Sequence, residues 1–161
     1  MLVRLNTVLE NIFCTVLKIF FGAMILIILL QVISRNVLQI PIIWTLDLAQ
    51  LCFSWCIFIG AAVAFRRDAH YHLDLIPPSW VKAGKFVRLL ALLGSSIVIY
   101  VLLVYGIVFA GIGLTRSSLS LGVSEIWFFI PIPIGAAAMT LFLIERIGSL
   151  LGLVPNYREL G

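Results

Sequence analysis

The chain has 161 residues, 63% of them apolar and 11% charged, with a formal net charge of +4 and a mean hydropathy of +1.19. Soluble domains run at about 45–50% apolar and about 25% charged, so a single water-soluble core of this length is excluded and lipid is the solvent. No basic run is interleaved with aromatics on a polar surface, which argues against a nucleic-acid partner, and three cysteines in apolar segments do not make a disulfide framework.

Apolar runs long enough to cross about 30 Å of hydrocarbon predict an all-α integral membrane protein, a single membrane domain over residues 1–161. Its four transmembrane helices are expected at about 12–34, 42–65, 86–112 and 124–148. The stretch ahead of the first span, "LVRLNTVLENIFCTVLKIF", is mixed in character. It reads as an amphipathic entry helix lying in the interface, with Lys18 near the inner end of the span. No small-x-small cleavage site ends the run, so it is read as a retained anchor. Pro41 then breaks the chain, because the residue before a proline avoids helix.

The second span sorts into stripes at 100° per residue. Asp47, Gln50, Ser54 and Ala61 form a polar stripe. Ala49, Cys52, Cys56, Gly60 and Ala64 form a small-residue stripe that admits a close neighbouring helix. Cys52 and Cys56 share a face, but no histidine or third thiol lies near them in sequence, so soft packing is preferred to a metal. The loop that follows, "RRDAHYHLD", holds Arg66, Arg67, His70, His72 and Asp74. Such residues could ligate a metal, but no second loop offers matching ligands.

Ser79 is placed to cap the third helix, and Lys82, Lys85 and Arg88 at its start are expected to snorkel to headgroups. Its Ser95, Gly106, Ala110 and Gly113 make a second small-residue face for packing within the chain or against a larger partner. In the fourth span Pro131 and Pro133 each remove a backbone donor and predict a kinked or late-starting helix, tolerated where neighbours satisfy the freed carbonyls.

Charge placement predicts orientation. Of the 11 Lys and Arg residues, only Arg35 and Arg116 fall in the connections after spans one and three. The bias of Lys and Arg toward the cytoplasm then puts both termini inside. No ionisable group is expected at mid-depth, where ion-coupled carriers need one, and no nucleophile or acid–base cluster marks an enzyme.

Arg35, Pro41, Trp44, Asp47, Trp55, Gly60, Ala61, Ala62, Arg66, Arg67, His70 (or His72) and Asp74 occur in an order that resembles the small, DctQ-like membrane subunit of TRAP (tripartite ATP-independent periplasmic) transporters. The family commonly has Glu where this chain has Asp47, which shortens any pairing by one methylene. The resemblance implies sodium-coupled import of organic acids such as dicarboxylates or sialic acid across the bacterial inner membrane. It also implies that a periplasmic binding protein captures the substrate and a large multi-span subunit carries it. The small subunit is then expected to have no cofactor and no substrate site, the sodium lying on the large subunit. It would brace that subunit and help dock the binding protein.

Within this reading Arg35 and Asp47 are expected to pair at the outer surface, Arg35 and Arg116 to dock the binding protein, and the small-residue faces to pack on the large subunit. Two alternatives stand beside it. One is a membrane anchor of a redox enzyme, disfavoured because both histidines share one loop whereas haem ligands usually face each other at depth. The other is a small self-sufficient oligomeric exporter, disfavoured by the missing mid-membrane charge.

Overall fold

A run free of helix-breaking residues makes the first element longer than expected. In the computed structural model, which describes residues 2–40, 42–67 and 81–150, α1 runs over Leu2–Ile33 without a break at Lys18. No proline or glycine precedes Gly22, and Asn6, Glu10, Phe13, Leu17 and Phe20 lie on one stripe at helical spacing. At 1.5 Å per residue this helix is about 48 Å long, well beyond the about 30 Å apolar layer. The separate entry helix expected from the sequence is therefore fused to the span, because one stripe serves both halves.

One π turn, Ser34–Leu38, ends α1. The Ser34 carbonyl accepts the N–H groups of Gln39 and Ile40, and the Ser34 hydroxyl donates to the Ile40 carbonyl. Gln39 takes the left-handed conformation at φ 54°. The remaining helices are α2 (Trp44–Arg66), α3 (Val81–Leu114), the single turn α4 (Ile126–Phe129) and α5 (Pro131–Leu150). Among the described residues four stretches are long and apolar enough to cross a membrane: Val3–Leu38, Trp44–Arg66, Leu90–Leu114 and Ile126–Gly148. Pro41, His70, His72 and Asp74 lie outside the described residues, as do Ser79 and the side chains of Lys82, Lys85 and Arg88.

Packing follows the small residues. Helix α1 runs antiparallel to α2, with Glu10 beside Arg66, Leu17 against Gly60, and Phe20 stacked on Trp55 at 5.3 Å between ring centroids. Helix α5 runs parallel to α2, and the two meet where Gly135 lies against the Phe58 backbone. Helix α3 runs antiparallel to α4 and α5, with Gly106 on Ile132 and Pro133 and Gly113 on Ile126 and Phe129. The spatial order is thus α1, α2, α5, α3, with α2 and α5 central. The core between them holds Phe13, Ile59, Ala62, Val63, Ile99, Ala138, Met139, Phe142 and Leu143. Lipid is as apolar as leucine, so close backbone approach at glycine, rather than burial alone, holds such helices together.

Two bonds run from α2 to α4, and a proline position explains one of them. Trp127 would have bonded the N–H of residue 131, which is proline. Its carbonyl instead accepts the indole N–H of Trp55 at 3.1 Å, and the next carbonyl, that of Phe128, accepts the Ser54 hydroxyl at 2.6 Å. Trp55→Phe keeps a ring beside Phe20 but leaves the Trp127 carbonyl without its donor. A loss of about 1–3 kcal/mol is expected, read as a lower unfolding midpoint in detergent. An unchanged midpoint would refute the assignment.

Candidate functional site

Functional side chains gather at both ends of the bundle. At one end α2 terminates in Arg66, and the N–H of Arg67 caps the helix on the Val63 carbonyl at 3.0 Å. The sequence reading placed both arginines in a loop. Instead, Arg66 is the last helical residue, its side chain only 3% exposed, and it reaches into a network built from α1 and α5. Its Nη1 lies 2.7 Å from Glu10 Oε2, and its Nη2 lies 3.4 Å from Glu145 Oε1 and donates to Thr7 Oγ1 at 3.1 Å. The guanidinium lies 5.3 Å from the Phe142 ring centroid.

Arg67 joins from the rim, its Nε 2.6 Å from Glu10 Oε1 and its Nη2 3.3 Å from Cys14 Sγ. The Asn6 amide donates to Glu145 Oε2 at 2.6 Å. Two carboxylates and two guanidiniums cancel in charge, the arrangement that makes burial of ions tolerable. Their pairing makes this end a structural clamp across three helices.

Asn6 and Glu10 were missed from sequence, as was the role of Glu145, which the sequence sets beside Arg146 near the inner end of its span. A signal existed: Asn6 and Glu10 sit on the same helical stripe as Phe13 and Leu17, so polar groups interrupt a buried face. Reading the segment as interfacial hid this, because an interfacial helix can keep its polar groups wet.

At the other end the carboxylate of Asp47 accepts the hydroxyls of Ser118 and Ser120. That contact ties α2 to the loop between α3 and α4. The loop is further fixed by a Ser117–Ser124 bridge, by Ser118 N–H to the Val123 carbonyl at 2.9 Å, and by Gly122 at φ 65°, which suits glycine. The Arg35 pairing expected for Asp47 is not made: among the described residues no ion pair joins them, and Arg35 is exposed. The α1–α2 register gives the reason. Carried outward from Glu10–Arg66 and Phe20–Trp55, it sets Arg35 level with the turn and Asp47 about 9 Å deeper.

Asp47→Ala is expected to loosen this loop and raise protease cutting within residues 115–125 about tenfold, since it removes an acceptor shared by two hydroxyls. Asp47→Asn, which keeps one carbonyl oxygen, should do less. Equal cutting in all three proteins would refute the tether.

Of the small-residue positions expected to meet another subunit, Gly60, Gly106 and Gly113 are already filled by Leu17, by Ile132 and Pro133, and by Ile126 and Phe129. Cys52 is buried, whereas Ala49, Cys56, Ala64 and Ala110 are half-buried. Among the described residues no group of His, Cys, Asp or Glu could hold a metal ion. Arg116 is exposed on the loop that Asp47 holds, and an open hollow beside it is lined by Ile42, Ile43, Trp44, Leu119 and Ser120.

Comparison with known proteins bears on this arrangement. Residues 24–152 match the family model described as "Tripartite ATP-independent periplasmic transporters, DctQ component". The sialic acid TRAP transporter small permease protein SiaQ of Vibrio cholerae is 24% identical over 134 residues, which are 83% of this chain and 78% of that protein. The sialic acid TRAP transporter permease protein SiaT of Haemophilus influenzae is 31% identical over 130 residues, 78% of this chain but only 20% of that protein. With a family model covering most of its length and four helices able to cross the bilayer, the chain belongs to the DctQ component family of tripartite ATP-independent periplasmic transporters, as a multi-pass protein of the bacterial inner membrane and not an enzyme.

Proposed function

We propose that this chain is the small permease subunit of a sodium-coupled transporter that imports an organic acid, of the sialic acid or dicarboxylate type. It works beside a large multi-span permease that carries the sodium and substrate sites, and with a periplasmic binding protein. The observation that carries this reading is the match along 78% of a protein named a small permease. The side chains support it: Glu10, Arg66, Arg67 and Glu145 are turned on one another, and Asp47 is turned on Ser118 and Ser120. Such groups hold helices and a loop in place, which suits a brace.

The end that bears Asp47 is taken as periplasmic and the end that bears Arg66 as cytoplasmic, following the placement of Lys and Arg. On that orientation Arg35 and Arg116 face the periplasm on exposed segments, and they are the candidate contacts for an acidic patch on the binding protein. Reconstitution into proteoliposomes tests the whole reading. Uptake of labelled organic acid is expected only with both permease subunits, the binding protein and an inward sodium gradient. Transport by this chain alone would defeat the proposal in favour of the self-sufficient exporter. In the complete system, Arg35→Glu with Arg116→Glu is expected to slow uptake about tenfold at low salt, because rim charges act on encounter rate. An unchanged rate would remove the docking role and leave the subunit assignment intact.

A further inference from the structure

Helix α1 is polar on two sides. One side carries Asn6 and Glu10 into the buried network. The opposite side carries Arg4, Asn11, Thr15 and Lys18, all exposed, followed by Gly22, beside which a side chain would meet nothing within 4 Å. These five positions recur at the helical repeat and form one narrow stripe facing away from α2 and α5. They precede the segment matched by the family model.

The depth of Lys18 makes the stripe informative. Leu17 packs on Gly60, Phe58 on Gly135, and Pro133 on Gly106. Lys18 therefore stands level with the part of α3 near Leu103. From that level α3 continues to expose Val101, Val98, Ile97, Leu93 and Leu90 toward the Arg66 end, a further span of about 20 Å of lipid-seeking surface. On α2 the exposed Arg67, eight residues beyond that level, sets the rim nearer, about 12 Å away, which is still beyond the reach of a lysine stem. The sequence reading set Lys18 near the inner end of its span. In the folded chain it stands about 12 Å from the level of Arg67, toward the middle of the bundle, and among the described residues it has no ion-pair partner. A charged group at such a depth faces protein or water and is paired.

We infer that the Arg4–Asn11–Thr15–Lys18–Gly22 stripe of α1 is the seam with the larger permease, and that Lys18 meets a carboxylate on a membrane helix of that subunit. This rests on the small-permease reading above. Charge selects the occupant: apart from Gly22 the stripe is basic and polar, so a second copy of it would repel, and a hydrocarbon neighbour would leave the Lys18 ammonium unpaired. Gly22, one turn beyond Lys18, admits close backbone approach, the usual complement of a polar contact between membrane helices. In the Haemophilus influenzae relative the matching region is 20% of the chain, so there a region of this kind is joined covalently to a much larger body.

The test uses the intact complex purified from its own membrane through a tag on this chain. A photo-reactive amino acid in place of Thr15 is expected to cross-link to the large permease. Adducts to lipid alone would overturn the seam. Lys18→Glu is expected to reduce the large permease recovered with the chain at least tenfold, and Lys18→Arg to retain it. Full recovery with Lys18→Glu would overturn the carboxylate pairing. Because the cross-link is read on a chain unaltered at Lys18, a folding defect in the Glu variant does not decide the matter. If the unaltered chain brings down no large permease, the small-permease reading itself fails, an outcome distinct from a failure of the seam.

Discussion

Replacing Arg66 by leucine is expected to destabilise the chain by about 3–5 kcal/mol, the usual consequence of removing one partner from a buried ion cluster. Arg66 touches both Glu10 and Glu145, and the three side chains are 3%, 2% and 7% exposed. Without it Glu145 keeps the Asn6 amide and Glu10 keeps Arg67, but the bridge between α1 and α5 through α2 is gone. Arg66→Lys should recover part of the loss, because an ammonium restores charge without the planar fork that reaches two carboxylates at once.

The triple change Glu10→Gln, Arg66→Met, Glu145→Gln should be markedly more stable than Arg66→Leu alone, since no buried charge is then left uncompensated. Reversible unfolding in mixed micelles measures all three. A shift below about 1 kcal/mol for Arg66→Leu would show that water reaches the cluster and screens it.

Gly135→Leu is expected to be the most damaging single change on the apolar side. A Cβ at this position would lie 2.7 Å from the Phe58 carbonyl oxygen, 3.1 Å from its carbon and 3.2 Å from the Phe58 Cβ. Two of these atoms are backbone and cannot swing aside, so α2 and α5 must separate. Separation also stretches Ser54 to Phe128 and Trp55 to Trp127, the bonds that satisfy the carbonyls of α4. Overpacking alone costs about 1–3 kcal/mol, and each broken bond adds about 1 kcal/mol or more, so little folded protein should accumulate. Gly111→Ala is the matched control, because nothing lies within 4 Å of its Cβ position, and its effect should stay within about 0.5 kcal/mol. Equal stability of the two variants would refute the close-contact account.

Much of this was legible in the order of residues. The apolar runs announced four spans, Pro131 and Pro133 announced carbonyls in need of donors, and the pattern from Arg35 to Asp74 pointed to the DctQ family. The polar stripe of α2 was also real. Asp47 and Ser54 both bond toward the loop and turn that precede α5.

The partners were not legible. Asp47 was matched to Arg35 because both lie near the same turn, whereas its partners, Ser118 and Ser120, lie in a segment two helices later. Glu10 was passed over because its partner stands in another helix. The small-residue faces at Gly60, Gly106 and Gly113 were offered to a second subunit and proved to be filled from within.

By itself, then, the sequence determined the solvent of this protein, the number of its spans, and the family to which it belongs. Composition and hydropathy period are properties of each segment alone and do not depend on its neighbours. Only the tertiary structure decided which buried charges face one another, which glycines are occupied, and that Lys18 stands level with Leu103 of α3 on an open face. These depend on the order α1, α2, α5, α3 and on the register of each pair, and register is set by contacts such as Leu17 on Gly60 and Phe58 on Gly135. A helix presents the same stripes whatever lies beside it, so no single stripe names its partner.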